Sequence, residues 1–117
     1  MSKTTIKVIE KNKGEKISYE VEGTTLWLGD QIAIRLPKYQ SDTEITKDIC
    51  ADDDGNLVMG LGKNYVAQVT IPPKEYDYVE QENEETGEMG TVQKERAFDI
   101  SKCTLTLWSI EEVYINE

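Results

Sequence analysis

The sequence predicts an all-β domain, either a small antiparallel β-barrel or a β-sandwich of about eight strands built from hairpins. Apolar and polar residues alternate with a period of two, as in the segment KISYEVE at residues 16–22. Turn-forming Gly, Asn, Asp and Pro recur at close spacing between such segments. No long amphipathic helical segments alternate with the strands, so a parallel α/β fold is not expected.

Two hairpins are predicted in the first third of the chain. Residues 4–22 form the first hairpin, with a turn signal at Asn12-Lys13-Gly14. The segments TTLWL and QIAIRL form the second hairpin around Gly29-Asp30. Pro37 is expected to end it, because proline cannot donate a hydrogen bond to a continuing ladder.

Residues 41–50 carry conflicting signals. Ser41 and Glu44 fit a helix-capping box, and Ile45 and Ile49 have helical i, i+4 spacing. The β-branched residues among them favour a strand instead. We predict one short helix near residues 41–50, with a strand as the alternative.

For the second half of the chain, the sequence predicts two further hairpins and a last strand. NLVMGL and NYVAQVTI are expected to pair around Gly62-Lys63. Residues 74–100 are expected to form an acidic hairpin that protrudes from a single domain spanning residues 1–117, with an exposed, mobile tip at 82–90. A strand through Trp108 follows, and residues 109–117 form either a short strand or a helical tail.

Composition argues against most enzyme classes. The chain of 117 residues has no histidine, which removes the commonest general base and the favoured ligand of catalytic zinc. Its two cysteines, Cys50 and Cys103, lack metal-binding spacing, and thiols are more expected there than a disulfide. We therefore expect a protein that is not an enzyme and that needs no cofactor.

The net charge of −10 is unevenly distributed. Residues 1–47 are nearly neutral, with eight Lys/Arg and seven Asp/Glu, whereas residues 48–117 carry five and sixteen. This field repels phosphates, so direct nucleic-acid binding is not expected. The acidic part is a solvated surface, a surface for a basic protein patch, or a mimic of nucleic acid. No apolar run approaches the roughly 20 residues that span a membrane, and no signal-peptide segment is seen, so we expect a cytoplasmic protein without membrane contact.

The segment ADDDGNLVMGLGKN at residues 51–64 resembles a binding loop but fails each known pattern. Asp52 and Asp54 fit positions 3 and 5 of a calcium loop, but Cys50 and Leu61 stand at the anchoring positions 1 and 12. The Gly-Leu-Gly-Lys run lacks both the first glycine and the hydroxyl residue of a phosphate loop. Hairpin turns are the preferred interpretation, with Asp52 and Asp54 as a weak cation site.

Aromatic and acidic residues supply the candidate partner-binding set. Trp27 and Trp108 are out of phase with the leucines beside them, so they face outward or fill a second core. Tyr76 and Tyr78 lie beside the acidic tip. The full candidate set is Trp27, Trp108, Tyr76, Tyr78, Glu82, Glu84 and Glu85.

The expected function is a non-catalytic protein-interaction or assembly module. It would bind a protein partner or form a homo-oligomer, as in a phage-like particle or another multi-subunit assembly. The alternative is a β-barrel that binds a small ligand or Ca²⁺, with residues 52–54 at its rim.

Overall fold

The computed structural model describes residues 5–113 and 115, and it is mostly β-structure arranged in three sheets. The strands are β1 (Lys7–Glu10), β2 (Tyr19–Glu22), β3 (Thr25–Leu28), β4 (Ile32–Arg35), β5 (Ile45–Ala51), β6 (Leu57–Met59), β7 (Asn64–Ile71), β8 (Tyr76–Glu82), β9 (Met89–Glu95) and β10 (Thr104–Leu107). A four-residue helix, α1 (Leu36–Tyr39), and a 3₁₀ turn (Ile100–Lys102) complete the regular structure. The predicted β class is confirmed, and the sheets do not close into a barrel within these residues.

The large sheet has five strands in the order β1-β10-β7-β5-β6. Its first pair, β1 with β10, is parallel, and all other pairs are antiparallel. The predicted hairpin of residues 4–22 is therefore wrong, because β1 pairs with the last strand and not with β2. Long-range burial overrides the local turn signal: Ile6 is buried, and Val8 lies beside the buried Leu105 of β10.

The predicted helix near residues 41–50 is also wrong, since β5 occupies this segment as an inner strand between β6 and β7. Ser41 is used differently from a helix cap: its hydroxyl accepts the N–H of Thr43, two residues on, in a turn that leads into the strand. The end of β5 is fully buried at Ile49, Cys50 and Ala51. Such three-residue burial is the pattern of an inner strand that is covered on both faces.

The predicted hairpin around Gly62-Lys63 is wrong as well, because β6 and β7 do not pair with each other. β6 pairs with β5 across the loop Asp52–Asn56, and β7 pairs with β5 on its other side. The connection 60–63 must therefore cross β5 to reach β7. A Cβ atom built on Gly62 would lie 2.8 Å from the Cβ atom of Cys50, so only glycine fits at this crossing without displacing its neighbour.

The small sheet has three antiparallel strands in the order β2-β3-β4. The predicted hairpin of β3 with β4 is confirmed, although α1 follows where Pro37 was expected to end the segment. Leu26, Leu28 and Ile34 of the small sheet join one hydrophobic cluster with the buried residues of the large sheet. Partly buried Ile110, Val113 and Ile115 pack against this cluster.

The C-terminal segment has neither of its two predicted forms in the described residues. Residues 111–113 form a turn, in which the N–H of Val113 donates to the carbonyl of Ile110. Residues 114, 116 and 117 of the predicted tail lie outside the described residues. Within the described ranges, no helix has the length and apolar character that crossing a membrane requires.

Candidate protein-contact surfaces

Strands β8 and β9 form a two-stranded ribbon, residues 76–95, which has no strand pairing with either of the other sheets in the described chain. Its register runs from Tyr76 opposite Glu95 to Glu82 opposite Met89. Tyr76, Val79 and Val92 are partly buried, and every other residue of β8 and β9 is exposed, so both faces of the ribbon are in contact with solvent. A two-stranded hairpin with both faces in water is marginally stable. The ribbon therefore depends on its base or on a partner.

Four ion pairs hold the base of the ribbon, the longest of them between Arg96 and Glu75 at 3.6 Å. Arg96 pairs with Asp77 at 2.7 Å, Lys102 with Glu75 at 2.7 Å, and Lys74 with Glu95 at 3.2 Å. The hydrogen bond from Arg96 lowers the pKa of Asp77, and the hydrogen bond from Lys102 lowers the pKa of Glu75. These contacts stabilise the strand pairing at the point where the ribbon leaves the sheets.

Tyr76 fixes the ribbon to the rest of the chain. Its hydroxyl donates to Oδ1 of Asp42 in the segment before β5. This hydrogen bond is the main reason that the pKa of Tyr76 rises to about 12. The predicted partner-binding role of Tyr76 is therefore accompanied by a clear structural role.

One face of the ribbon combines exposed apolar side chains with carboxylates. Tyr78, 69% exposed, and Met89, 62% exposed, both lie on it. Glu80 and Glu82 share this face, because alternate residues of a strand point to the same side. Large apolar side chains left in water on a projecting element are typical of a contact surface.

The tip of the ribbon is exposed throughout residues 82–90, as predicted. It is a hydrogen-bonded turn: the Asn83 side chain accepts the N–H groups of Glu85 and Thr86. Gly87 takes a positive φ of 75° and donates to the carbonyl of Asn83. The turn presents Glu84 and Glu85 to solvent beside Glu82.

Trp27 lies in the small sheet and Trp108 directly follows the last strand of the large sheet, so the structure does not bring them together on one strand or one sheet. Trp27 is 40% exposed on the outer face of the small sheet, opposite Glu20 and Ala33. Trp108, half-buried, follows β10 and packs against Tyr65 of β7, with 5.7 Å between the ring centroids. The tryptophans therefore belong to two separate surfaces.

The surface around Trp108 contains residues that the sequence did not single out. Tyr65 lies opposite Cys50, and the register shifts between Ile49 and Cys50. A β-bulge reverses the facing of the residues beyond it, which explains why both Val66 and Ala67 are buried. Burial and the nearby Asp48 carboxylate raise the pKa of Tyr65. Neither β5 nor β7 contains a glycine, so the sequence has no signal that marks the position of this bulge.

The loop Asp52–Asn56 is a hairpin turn, as the preferred interpretation of the sequence states. Oδ1 of Asp52 accepts the N–H groups of Asp54 and Asn56, each at 2.9 Å. Gly55 has a positive φ of 79° and donates to the carbonyl of Asp52, the geometry of a three-residue hairpin loop. Gln31 ties this loop to the small sheet by donating to Gly55 and accepting from Leu57.

The three aspartates do not converge. Asp53 pairs with Lys63 at 2.8 Å, whereas Asp52 is occupied by the backbone of its own loop. Among residues 5–113 and 115, no group of three or more His, Cys, Asp or Glu side chains is placed to hold a metal ion.

Three of the cavities formed by the described residues lie elsewhere. One of about 420 Å³ follows the curved tip of the ribbon. Another of about 380 Å³ lies between residues 15–18, residues 29–31 and the C-terminal Ile110 and Ile115. The third, about 190 Å³, lies beside Trp27. None of these three is lined by residues 52–54.

Both cysteines are buried free thiols. Cys50 lies in β5, and Cys103 lies between the 3₁₀ turn and β10. Burial raises the pKa of Cys50, and it raises the pKa of Cys103 to about 11. A nucleophilic cysteine requires the opposite shift, because the thiolate is the reactive form. The two thiols therefore serve packing.

Comparison with protein-family models, with curated proteins and with solved structures finds no match to this chain.

Proposed function

We propose that the protein is a non-catalytic interaction or assembly module whose ribbon, residues 76–95, is the arm that contacts a protein partner. The observation that carries this proposal is a two-stranded element with both faces exposed and a base held by four ion pairs. A hairpin of this kind gains stability when a partner covers one face or pairs with one edge. A subunit of a phage-like particle or of another multi-subunit assembly fits this design.

The chemistry of the arm defines the partner that it would accept. Tyr78 and Met89 provide apolar side chains that a groove could bury, and aromatic residues are frequent anchors in interfaces. Glu80, Glu82 and Glu84 surround them with negative charge. A protein surface with an apolar groove and a basic rim is complementary, whereas nucleic acid is repelled.

The large sheet and the small sheet together support the arm. We infer a sandwich-like packing of the large sheet on the small sheet, because their buried residues belong to one cluster. Trp27 and Trp108 provide two separate secondary contact surfaces. A cytoplasmic location agrees with two free thiols, since disulfides are rare in reducing compartments.

The proposal is tested by cross-linking and capture from the native cell with arm variants. The double variant Tyr78→Ser/Met89→Ser should lose the partners that the wild-type chain captures. The matched control is Leu61→Ser, which removes an even more exposed apolar side chain, 81% accessible, from the connection 60–63. Equal capture by the wild type, the arm variant and the control would refute an arm function.

A further inference from the structure

Strand β1 leaves one edge of the large sheet open. The N–H groups of Lys7 and Lys11 donate to Cys103 and Leu107 on the β10 side. In a parallel pair the intervening residues direct their backbone groups the other way. The N–H and C=O groups of Val8 and Glu10 therefore point to an edge where no strand lies within residues 5–113 and 115.

Strand β8 leaves an open edge on the ribbon. The carbonyl of Glu75 accepts the N–H of Arg96, and the N–H of Asn83 donates to Glu88, so odd-numbered residues bond to the β9 side. Backbone groups alternate in an antiparallel pair, which directs those of Tyr78, Glu80 and Glu82 outward. Such rows of unpaired groups are templates for another strand.

The two open edges have opposite charge. The β1 segment, residues 7–13, carries Lys7, Lys11 and Lys13 with one glutamate. Strand β8 carries Asp77, Glu80 and Glu82 with no basic residue. Pairing β8 with another β8 would place carboxylates opposite one another, which is unfavourable. Strand β9 has one lysine and one glutamate and gives no charge preference.

We propose that β8 of one copy adds as a strand to the β1 edge of a second copy, so that the chain assembles with itself head to tail. This inference rests on the proposed function of the ribbon as a contact arm, and it names the partner. Strand addition satisfies the outward backbone groups of both edges, while the lysines and carboxylates select the pairing. Because two different surfaces meet, assembly yields rings or filaments and not a closed dimer.

The first test exchanges the charges. The donor variant Glu80→Lys/Glu82→Lys has two basic edges, and the acceptor variant Lys7→Glu/Lys11→Glu has two acidic edges. Sedimentation velocity at low ionic strength should show assembly of the wild type, and self-association at least about tenfold weaker in each variant alone. An equimolar mixture of the two variants should assemble again, since each variant then offers the edge that the other needs. Addition of salt should weaken every assembling sample.

The second test addresses the backbone. Val8→Pro removes an N–H that points to the open edge and leaves the bonds of β1 to β10 intact, since proline is tolerated on such an edge. This variant should stay folded and should fail to accept a strand, whereas Val8→Thr, of similar size with its N–H retained, should assemble like the wild type.

Three outcomes would overturn the inference: a wild type that stays monomeric at millimolar concentration, a mixture of charge variants that fails to assemble, or undiminished assembly of Val8→Pro. The proposed arm function would survive any of them if Tyr78→Ser/Met89→Ser still lost captured partners. In that case the partner is a different basic protein.

Discussion

Gly62 lies where the chain crosses over a strand and where no larger residue fits without displacing its neighbour. The connection 60–63 passes over β5, and Gly62 lies against Cys50 and Val58. Gly62 is not among the glycines with positive φ, so its requirement is steric and not conformational. The structure thus explains a glycine that the sequence pattern suggested was part of a hairpin turn.

Replacement of Gly62 by alanine should destabilise the fold by about 1–3 kcal/mol, because the new methyl group overlaps Cys50 and the connection must move away. Urea-induced unfolding measures this change. Gly90→Ala is the matched control, since a Cβ atom there meets nothing within 4 Å and the backbone is that of a strand. Equal midpoints for the two variants would mean that the crossing is not tightly packed.

Asp52 is the second residue whose role can be tested directly. Asp52→Ala removes an acceptor for two backbone N–H groups and should cost about 1 kcal/mol, as a lost helix cap does. Asp52→Asn keeps an acceptor oxygen and should retain most of the stability. Asp54→Ala should be neutral, because its carboxylate accepts no hydrogen bond from the described part of the chain.

The same variants separate a turn from a calcium site. If residues 52–54 bound Ca²⁺, millimolar calcium would raise the unfolding temperature of the wild type, and Asp52→Asn would abolish that rise. A turn predicts no response to calcium in any variant. A calcium-dependent shift that Asp52→Asn removes would therefore restore the ligand-binding alternative.

At the level of elements, the sequence predicted local pairings correctly where a short turn joins the strands. The hairpins of β3 with β4 and of β8 with β9 are examples. It failed where pairing partners are distant in sequence, as for β1 with β10, or where the chain crosses a strand, as between β6 and β7. Period-two patterns identify strands but carry no information on which distant strand becomes the neighbour.

The ribbon should respond to acid before the sheets do. The pKa values of Asp77 and Glu75 lie below their ordinary 3.8 and 4.5 because Arg96 and Lys102 stabilise the carboxylates. A lowered pKa in the folded state contributes stability that is present above the ordinary value and is lost as the pH falls through the folded value. The ribbon should therefore loosen below about pH 4, which NMR amide shifts of β8 and β9 would report.

Arg96→Gln provides the control for this titration. The variant lacks the ion pair with Asp77, so its ribbon should already exchange amide hydrogens faster at neutral pH. Lys94→Gln removes a neighbouring charge that makes no ion pair with the described residues, and it should behave like the wild type. Unchanged exchange in Arg96→Gln would contradict the role assigned to the base of the ribbon.

At the scale of the whole molecule, the structure is elongated. Its principal extents are 65 × 33 × 22 Å, and its radius of gyration is 18.7 Å. A compact chain of this length would have a radius of about 13 Å. Composition could not predict this shape, although the acidic excess and the polar tip at residues 82–90 did locate the ribbon. The candidate residues Tyr78, Glu82 and Glu84 were identified for the same reason.

The distribution of buried residues indicates that the ribbon is separable from the core. The hydrophobic cluster contains residues of the large and small sheets and none from β8 or β9 among the described residues. Deletion of residues 80–91, with Val79 and Val92 joined by Asn-Gly, preserves the cross-strand pairs from Tyr76–Glu95 to Val79–Val92 and supplies a two-residue hairpin turn. This variant should fold like the full chain.

The unfolding temperature of the shortened chain should differ little from that of the full chain. Small-angle scattering should show a radius of gyration smaller than the 18.7 Å of the full chain. The expected reason is that the deleted residues contribute length but almost no buried apolar surface. A loss of cooperative unfolding would show instead that the ribbon stabilises the sheets. A shortened chain that folds but no longer binds its partner would assign stability to the two sheets and binding to the arm. The deletion would then have removed partner binding while leaving the stability of the fold unchanged.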